Sequence, residues 1–317
     1  MIKYSFVVPI YNDGHVASMF CKEFEQVFID YLKIPAIEEQ VELIFVNDGS
    51  RDDSYRHLKK LAESYKFVTA IDLSRNFGQH IAISCGYKHA KGEFVGTIDV
   101  DMQEPPSEII KLLKAFETSD CDIVVSVRSK RQSNWFKRLT SYSFKYVMNK
   151  LTGQESPLNS GTLRIMNRRF LDAYNQLKER SRYLAAHELW LGFKHCYVEI
   201  NHQKECEGKK SSYNFKRRFN MALEAILTFS DRPLRMSVTV GFLCAAIGML
   251  MGSFLVVQKL FLKDLQAGYT STLSIILFIG GIQIFVTGLC GLYIGKILSE
   301  VQNRPLYIIR RIDKFQG

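Results

Sequence analysis

The stretch Phe94-Val95-Gly96-Thr97-Ile98-Asp99-Val100-Asp101-Met102-Gln103-Glu104-Pro105-Pro106 decides how the rest of the chain is read. Five residues fit for a buried strand run into two acids, and a pair of prolines then breaks the chain. In an extended backbone, residues i and i+2 point to the same side. Asp99 and Asp101 are therefore expected to converge on one divalent cation, with Gln103 adding a neutral oxygen. Mg²⁺ and Mn²⁺ favour such oxygen ligands, take few of them from protein, and leave the rest to water and phosphate.

Upstream, the pattern alternates. Apolar runs at Tyr4–Ile10, Val41–Val46 and Phe67–Leu73 are followed by helical periodicity over Val16–Leu32, after Asp53, and over Gln79–Ala90. After Phe94–Ile98 come a helix over Ser107–Phe116 and a fifth strand at Asp122–Val127. Such alternation predicts an α/β class with a mostly parallel sheet and helices on both faces. Ligands of such sheets sit beyond the carboxyl ends of the strands. Those ends hold Pro9–Asp13, Asp48–Ser50, Ser74–Asn76, Asp99–Gln103 and Arg128–Arg131. Asp48 is open to two readings there, a ligand for a ribose or base and a turn or N-cap acid. His80 could cap a helix or touch a phosphate. Arg164, Arg168 and Arg169 could serve a phosphate or line a solvated helix. His187-Glu188 could supply a general base or be structural.

The 317-residue chain carries a formal net charge of +10. That excess suits nucleic acid, anionic lipid or a phosphorylated substrate. No nucleic-acid-binding signature is found, and the cations crowd two uncharged apolar stretches, Ser237–Val257 and Tyr269–Gly295. About 20 apolar residues suffice to span a bilayer as a helix. Lys209, Lys210, Lys216, Arg217, Arg218, Arg232 and Arg235 precede the pair, and Lys296, Arg304, Arg310, Arg311 and Lys314 follow it. The positive-inside rule then places both termini in the cytoplasm. Amphipathic segments at about 135–151 and at 211–235 are expected at the membrane interface, or else packed on the sheet. Glycines recur in both spans at spacings that allow close helix packing, within the hairpin or between subunits. The seven cysteines form no CxxC pair and are expected to be free thiols in a reducing compartment. No signal peptide precedes the first strand, so the catalytic part is expected to be cytoplasmic.

Taken in order, several motifs resemble the family 2 glycosyltransferases, in the membrane-anchored polyprenyl-phosphate (bactoprenol) branch that is similar to dolichol-phosphate mannose synthase. They are Val7–Asp13, Val46–Ser50, Leu73–Gln79, Asp99–Pro106, Ser211-Ser212-Tyr213 and Phe229–Arg235. The resemblance implies a GT-A, Rossmann-like nucleotide-sugar domain over 1–210, and a juxtamembrane helix over 211–235. A transmembrane hairpin over 236–296 (spans 237–257 and 270–295) and a basic cytoplasmic tail over 297–317 would follow. It implies a multi-pass protein of the bacterial inner membrane. The nucleoside would lie on Pro9, Tyr11, Asn12, Asp13, Asp48, Gly49, Asp99 and Val100. Asp99, Asp101 and Gln103 would hold Mg²⁺ or Mn²⁺. Asp101, Arg128 and Arg131 would be catalytic, and Arg128, Arg131, Lys204 and Arg218 would face the acceptor phosphate. Three positions depart from the pattern: Asn159 replaces a common Asp, Lys204 an Arg, and Asp13 a common Glu.

The reaction expected from these residues is inverting transfer of a sugar, from a UDP-sugar or similar donor, to undecaprenyl phosphate for cell-surface glycan or O-antigen (lipopolysaccharide) modification. A phosphate acceptor is already largely ionised at neutral pH and needs positioning rather than a base. The partners implied are the donor, the polyprenyl phosphate, the bilayer and further copies of the chain, as a tetramer in relatives. A processive polysaccharide synthase would carry a QxxRW sequence, and neither Trp135 nor Trp190 follows an Arg. A non-catalytic membrane module would not need Asp99, Asp101 and Gln103.

Overall fold

Tyr4–Ile10 (β1) is buried along nearly its whole length, and its alternate residues feed two separate cores. Phe6 and Val8 pack on one face of the sheet, and Val7 packs on the other, as the two-residue period of a strand requires. The structure is a computed structural model that describes residues 2–33, 36–128, 160–180, 182–201, 232–261 and 268–315. They fall into two units: Met1–Asn149 with Gly153–Tyr213 and Arg304–Gly317, and Lys150–Thr152 with Asn214–Asn303.

In the first unit β1 is followed by α1 (Ala17–Leu32), β2 (Val41–Asn47), α2 (Ser54–Ser64), β3 (Val68–Leu73), α3 (Gln79–His89) and β4 (Phe94–Thr97). Then come α4 (Ile109–Thr118), β5 (Ile123–Arg128), β6 (Ser160–Asn167), α5 (Arg168–Gln176), α6 (Leu184–Trp190), β7 (His195–Ile200) and β8 (Ile309–Lys314). The eight strands form one sheet in the order β7-β5-β6-β4-β1-β2-β3-β8. β1 pairs in parallel with both β2 and β4, and β2 with β3. β6 runs antiparallel between β4 and β5, and β8, from the basic tail, runs antiparallel along β3. Phe20, Phe24 and Phe28 of α1, Leu58 of α2 and Leu112 of α4 cover one face. Ile83 and Tyr87 of α3 with Phe170 and Tyr174 of α5 cover the other. α3 lies close on β1 because residue 86 is glycine: a Cβ there would stand 2.2 Å from Val7 Cγ1.

Two expectations are corrected. Cys121 and Cys196 form a disulfide, with Cα atoms 6.0 Å apart, so not all the cysteines are free thiols. Parallel pairing of β5 with β7 sets Val124 against Cys196 and brings together two residues 75 apart in sequence. The arginine group also divides: Arg168 and Arg169 open α5, with Arg169 on its solvated face, whereas Arg164 meets neither expectation. Arg164 lies in β6 and is buried, its Nη1 donating to both oxygens of Glu188 at 2.8 and 2.7 Å. Arg168 donates to the carbonyls of Ala90 and Gly92, and Arg169 pairs with Asp122 at 2.6 Å. Glu188 is thereby structural. His187 beside it is also buried, its ring nitrogen 2.9 Å from the Tyr183 carbonyl.

The second unit contains α7 (Arg232–Phe261) and α8 (Tyr269–Val301), which enclose the two expected spans. Met236–Phe254 and Phe278–Val301 are long and apolar enough to cross a membrane. Phe242 and Ile284 are each 75% exposed, an arrangement suited to lipid rather than to water. Among the described residues, a Cβ at Gly241, Gly248, Gly252, Gly280, Gly281, Gly288, Gly291 or Gly295 would meet no atom within 4 Å. Both amphipathic segments lie outside the described residues, apart from Arg232–Arg235, which open α7.

Two predictions follow from the buried polar cluster of β6, α3 and α6. Glu188→Ala strands the Arg164 charge and is expected to cost about 3–5 kcal/mol, read as a large drop in the thermal unfolding midpoint. His80, at the start of α3, has its pKa lowered from 6.5 to about 4, chiefly by burial and then by Arg164 and His187. The unfolded chain then binds more protons at position 80 between these values, so this contribution is intact above pH 6.5 and is lost as pH falls toward 4. Melting temperatures across that window should fall less steeply for His80→Gln than for the unaltered protein; parallel curves would contradict this.

Candidate active site

After β1 the chain builds outward through β2 and β3, then returns to place β4 on the opposite side of β1. That reversal opens a crevice beyond the carboxyl ends of β1 and β4, the place where open α/β sheets bind ligands. The loops flanking it are Tyr11–Asp13 and Asp99–Gln103.

β4 ends at Thr97, so Asp99 and Asp101 lie in the turn beyond it rather than on extended strand. The backbone beyond the strand, not a pleat, therefore sets their relative positions, and Met102 after them turns the chain toward Gln103 with φ 60°. That left-handed backbone is uncommon for a side chain of this size. The Gln103 main-chain N–H donates to Asp101 Oδ1 at 3.1 Å. Asp99 is half-buried, and its pKa is pushed up to about 7, first by burial and then by the neighbouring Asp101 charge. Gln79 Nε2 donates to Asp99 Oδ1 at 2.8 Å, and Thr162 adds a side-chain hydrogen bond.

Glu104 completes this cluster from beneath. It is buried; Oε1 accepts from Arg128 Nε at 3.1 Å and Oε2 from the Leu163 main-chain N–H at 2.7 Å. One side chain thus ties the acidic turn to the end of β5 and to β6. Residue 161 must be small there, since a Cβ would lie 2.3 Å from Glu104 Oε1 and 2.2 Å from Ser126 Oγ. Gln79, Glu104 and Thr162 had no expected role. Gln79 and Glu104 fall inside quoted motifs, but only the fold shows what they touch.

On the β1 and β2 side, Asp48 gives both oxygens to main chain, accepting from Phe77 N at 2.7 Å and Gly78 N at 2.9 Å. It thereby seats the loop that opens α3 and carries Gln79. Gly49 has φ 62°, and a Cβ there would meet the Arg75 carbonyl carbon at 2.2 Å. Asn12 has φ 58°, held by a bond from its N–H to Ser50 Oγ and one from Arg51 N–H to its Oδ1, both 2.9 Å. Pro9 pairs with Val46 at the end of β1, Tyr11 is 43% exposed, and Val100 is buried. Asp13 opens the turn into α1, its carbonyl accepting from Val16 N–H at 3.2 Å. Arg131, Lys204 and Arg218 lie outside the described residues.

Among the described residues, Arg128 is the arginine beside these three carboxylates, and it is turned to Glu104. Among the described residues, no group of three or more His, Cys, Asp or Glu side chains is arranged to hold a metal. A pair of neighbouring acids with a neutral oxygen close by nonetheless fits a divalent cation whose remaining ligands come from water and a diphosphate.

A model of the glycosyl transferase family 2 matches residues 5–174, and one of the GtrB C-terminal hairpin matches residues 232–297. The SfII prophage-derived bactoprenol glucosyl transferase of Shigella flexneri is 34% identical over 311 residues, 98% of each chain. A prophage bactoprenol glucosyl transferase homolog of Escherichia coli is 33% identical over 317 residues, 99% of this chain and 100% of that one. An uncharacterized glycosyltransferase of Bacillus subtilis is 33% identical, covering 98% and 94%. Glucosyl-3-phosphoglycerate synthase from Mycobacterium tuberculosis, solved with Mn²⁺, UDP and glucosyl-3-phosphoglycerate, has a TM-score of 0.49 at 15% identity, over 72% of this chain and 78% of that one. The sheet is that of a GT-A fold, and the hairpin match with the apolar helices marks a membrane-associated protein. With a family model over more than half its length and relatives of one-third identity over nearly all of it, the chain belongs to glycosyl transferase family 2.

Proposed function

We propose that this glycosyltransferase moves a sugar from a nucleoside diphosphate donor to a polyprenyl phosphate at the cytoplasmic face of the membrane. The observation that carries this is the acidic turn Asp99–Gln103 at the switch point, with Arg128 fixed beside it, in a chain that also holds two lipid-suited helices. The names of the Shigella and Escherichia relatives support a bactoprenol acceptor and a glucosyl group. UDP is the donor nucleotide most in keeping with that branch.

Asp99 and Asp101, with Gln103, would hold Mg²⁺ or Mn²⁺. When bound, the cation neutralises the donor diphosphate and its departing charge. Pro9, Tyr11, Asn12, Asp13, Gly49 and Val100 would shape the nucleoside pocket. Asp48 would act there through the Phe77–Gly78 loop that it holds. Arg128, steadied by Glu104, would face the acceptor phosphate with Arg131, Lys204 and Arg218, arginine being suited to paired contacts with phosphate oxygens. The acceptor oxygen is ionised, so no side chain has to remove its proton. Glu188, the candidate base, is committed to Arg164. Direct attack at the anomeric carbon inverts it and gives a β-linked lipid-phosphate sugar from an α-linked donor. Both termini would be cytoplasmic, and the chain is expected to assemble with further copies, as a tetramer.

Membranes containing the protein, given radiolabelled nucleotide sugars, undecaprenyl phosphate and Mg²⁺ or Mn²⁺, should move label into the organic phase with one donor. Label remaining aqueous with every donor would contradict the proposal. Gln79→Leu removes the donor to Asp99 Oδ1. It should raise the Mn²⁺ concentration for half-maximal activity by about 10–100-fold, a typical effect of partners that orient a ligand, and leave the acceptor KM in place.

A further inference from the structure

The loop that shapes the proposed nucleoside pocket is tied to a network of polar side chains. Asn47, Ser50, Tyr55, Asp72, Arg310 and Arg311 line a polar cleft on its far side. Across that cleft runs an unbroken series of bonds. Asn12 N–H donates to Ser50 Oγ at 2.9 Å, Ser50 Oγ to Asn47 Oδ1 at 2.6 Å, and Asn47 Nδ2 to Asp72 Oδ1 at 2.7 Å. The other oxygen of Asp72 meets two arginines of the tail strand, Arg310 Nη1 at 3.4 Å and Arg311 Nε at 3.7 Å. The Asp72 side chain is only 2% exposed, so these partners take the place of water around it.

Adjacent strand residues point to opposite faces, and two neighbours would not ordinarily reach one carboxylate. They do so here because the β3–β8 register shifts at Asp72/Leu73. Such bulges re-aim side chains. Arg310 Nη2 also donates to the Ser74 carbonyl at 2.8 Å, Ser74 N–H donates to Ile308 O at 2.9 Å, and the Arg311 guanidinium lies 4.2 Å from the centre of the Tyr55 ring. The tail therefore grips the end of β3 and the start of α2 directly, and reaches Asn47 at the end of β2 through Asp72.

We infer that β8 is a positioning element for the donor site, with Arg310 and Asp72 setting the conformation of Asn12 and Ser50 through Asn47. The inference rests on the reading of the 10–13 and 47–50 loops as the donor pocket. Neither residue touches donor or acceptor in that reading, so their loss should act on donor binding and spare the chemical step.

The test uses the full chain and three variants: Arg310→Ala, Arg310→Lys and Asp72→Asn. Arg310→Ala and Asp72→Asn should raise the donor KM about tenfold, change kcat less than twofold, leave the acceptor KM unchanged, and be partly reversed in Arg310→Lys. Hydrogen exchange of peptides covering residues 10–13 and 47–53 should be faster in Arg310→Ala, while peptides from β5 and β6 keep their rates. Unchanged donor KM and exchange would overturn the inference, and so would a uniform loss of kcat and melting temperature without a change in KM. If the unaltered protein transfers from no donor, the donor-site reading fails by that result. Exchange at 10–13 and 47–53 then decides alone whether the tail holds the loop.

Discussion

Like charge gathered at one strand end is the constraint on which the rest of this site depends. Asp99, Asp101 and Glu104 fall within six consecutive positions beyond β4, and burial first, then the neighbouring Asp101 charge, push the Asp99 pKa up to about 7. The fold holds them with directed bonds. Glu104 is neutralised by Arg128 and anchored on Leu163 N–H, Asp99 accepts from Gln79 and Thr162, and Asp101 accepts from Gln103 N–H. What remains is an acidic turn beyond the carboxyl end of β4, at the switch point of the sheet. A divalent cation carrying a diphosphate is the chemical species that such a turn suits.

Each of those bonds has its own support. Gln79 reaches Asp99 because Asp48 seats the Phe77–Gly78 loop, and that loop comes close because residue 49 has no Cβ. Glu104 fits beneath the turn because residue 161 has none either. Asn12 keeps its left-handed backbone through Ser50 and Arg51. The side chains expected to touch substrate are thus a thin layer over a second set that fixes them. Changes in that second set should shift KM or metal requirement before they abolish the reaction.

The first five strands and four helices were legible because their apolar periods are regular and their turns carry Gly, Asn, Asp or Pro. β1 falls on the expected residues, and the others begin or end within two positions of them. β6, β7 and β8 were not legible. Their runs are broken by Arg164, His195, Glu199, Arg310 and Arg311, and Arg164 and the two tail arginines find their partners far off in sequence, at Glu188 and Asp72. The disulfide was hidden for the same reason. The acids of the site were legible as a motif, but their geometry was not: a pleated strand was expected, and the strand instead ends at Thr97, before the acids. Asp48 was legible as important through its place at a strand end, while its partners, two main-chain N–H groups thirty residues on, could come only from the fold.

The most direct measurement is electron paramagnetic resonance of Mn²⁺ titrated into the purified full-length protein, with and without UDP. One bound ion per chain is predicted, held more tightly with UDP present and lost in Asp99→Asn and Asp101→Asn proteins that still fold. Mn²⁺ bound equally well by those variants, or no ion bound with the diphosphate present, would contradict the acidic turn as the place where the donor is held.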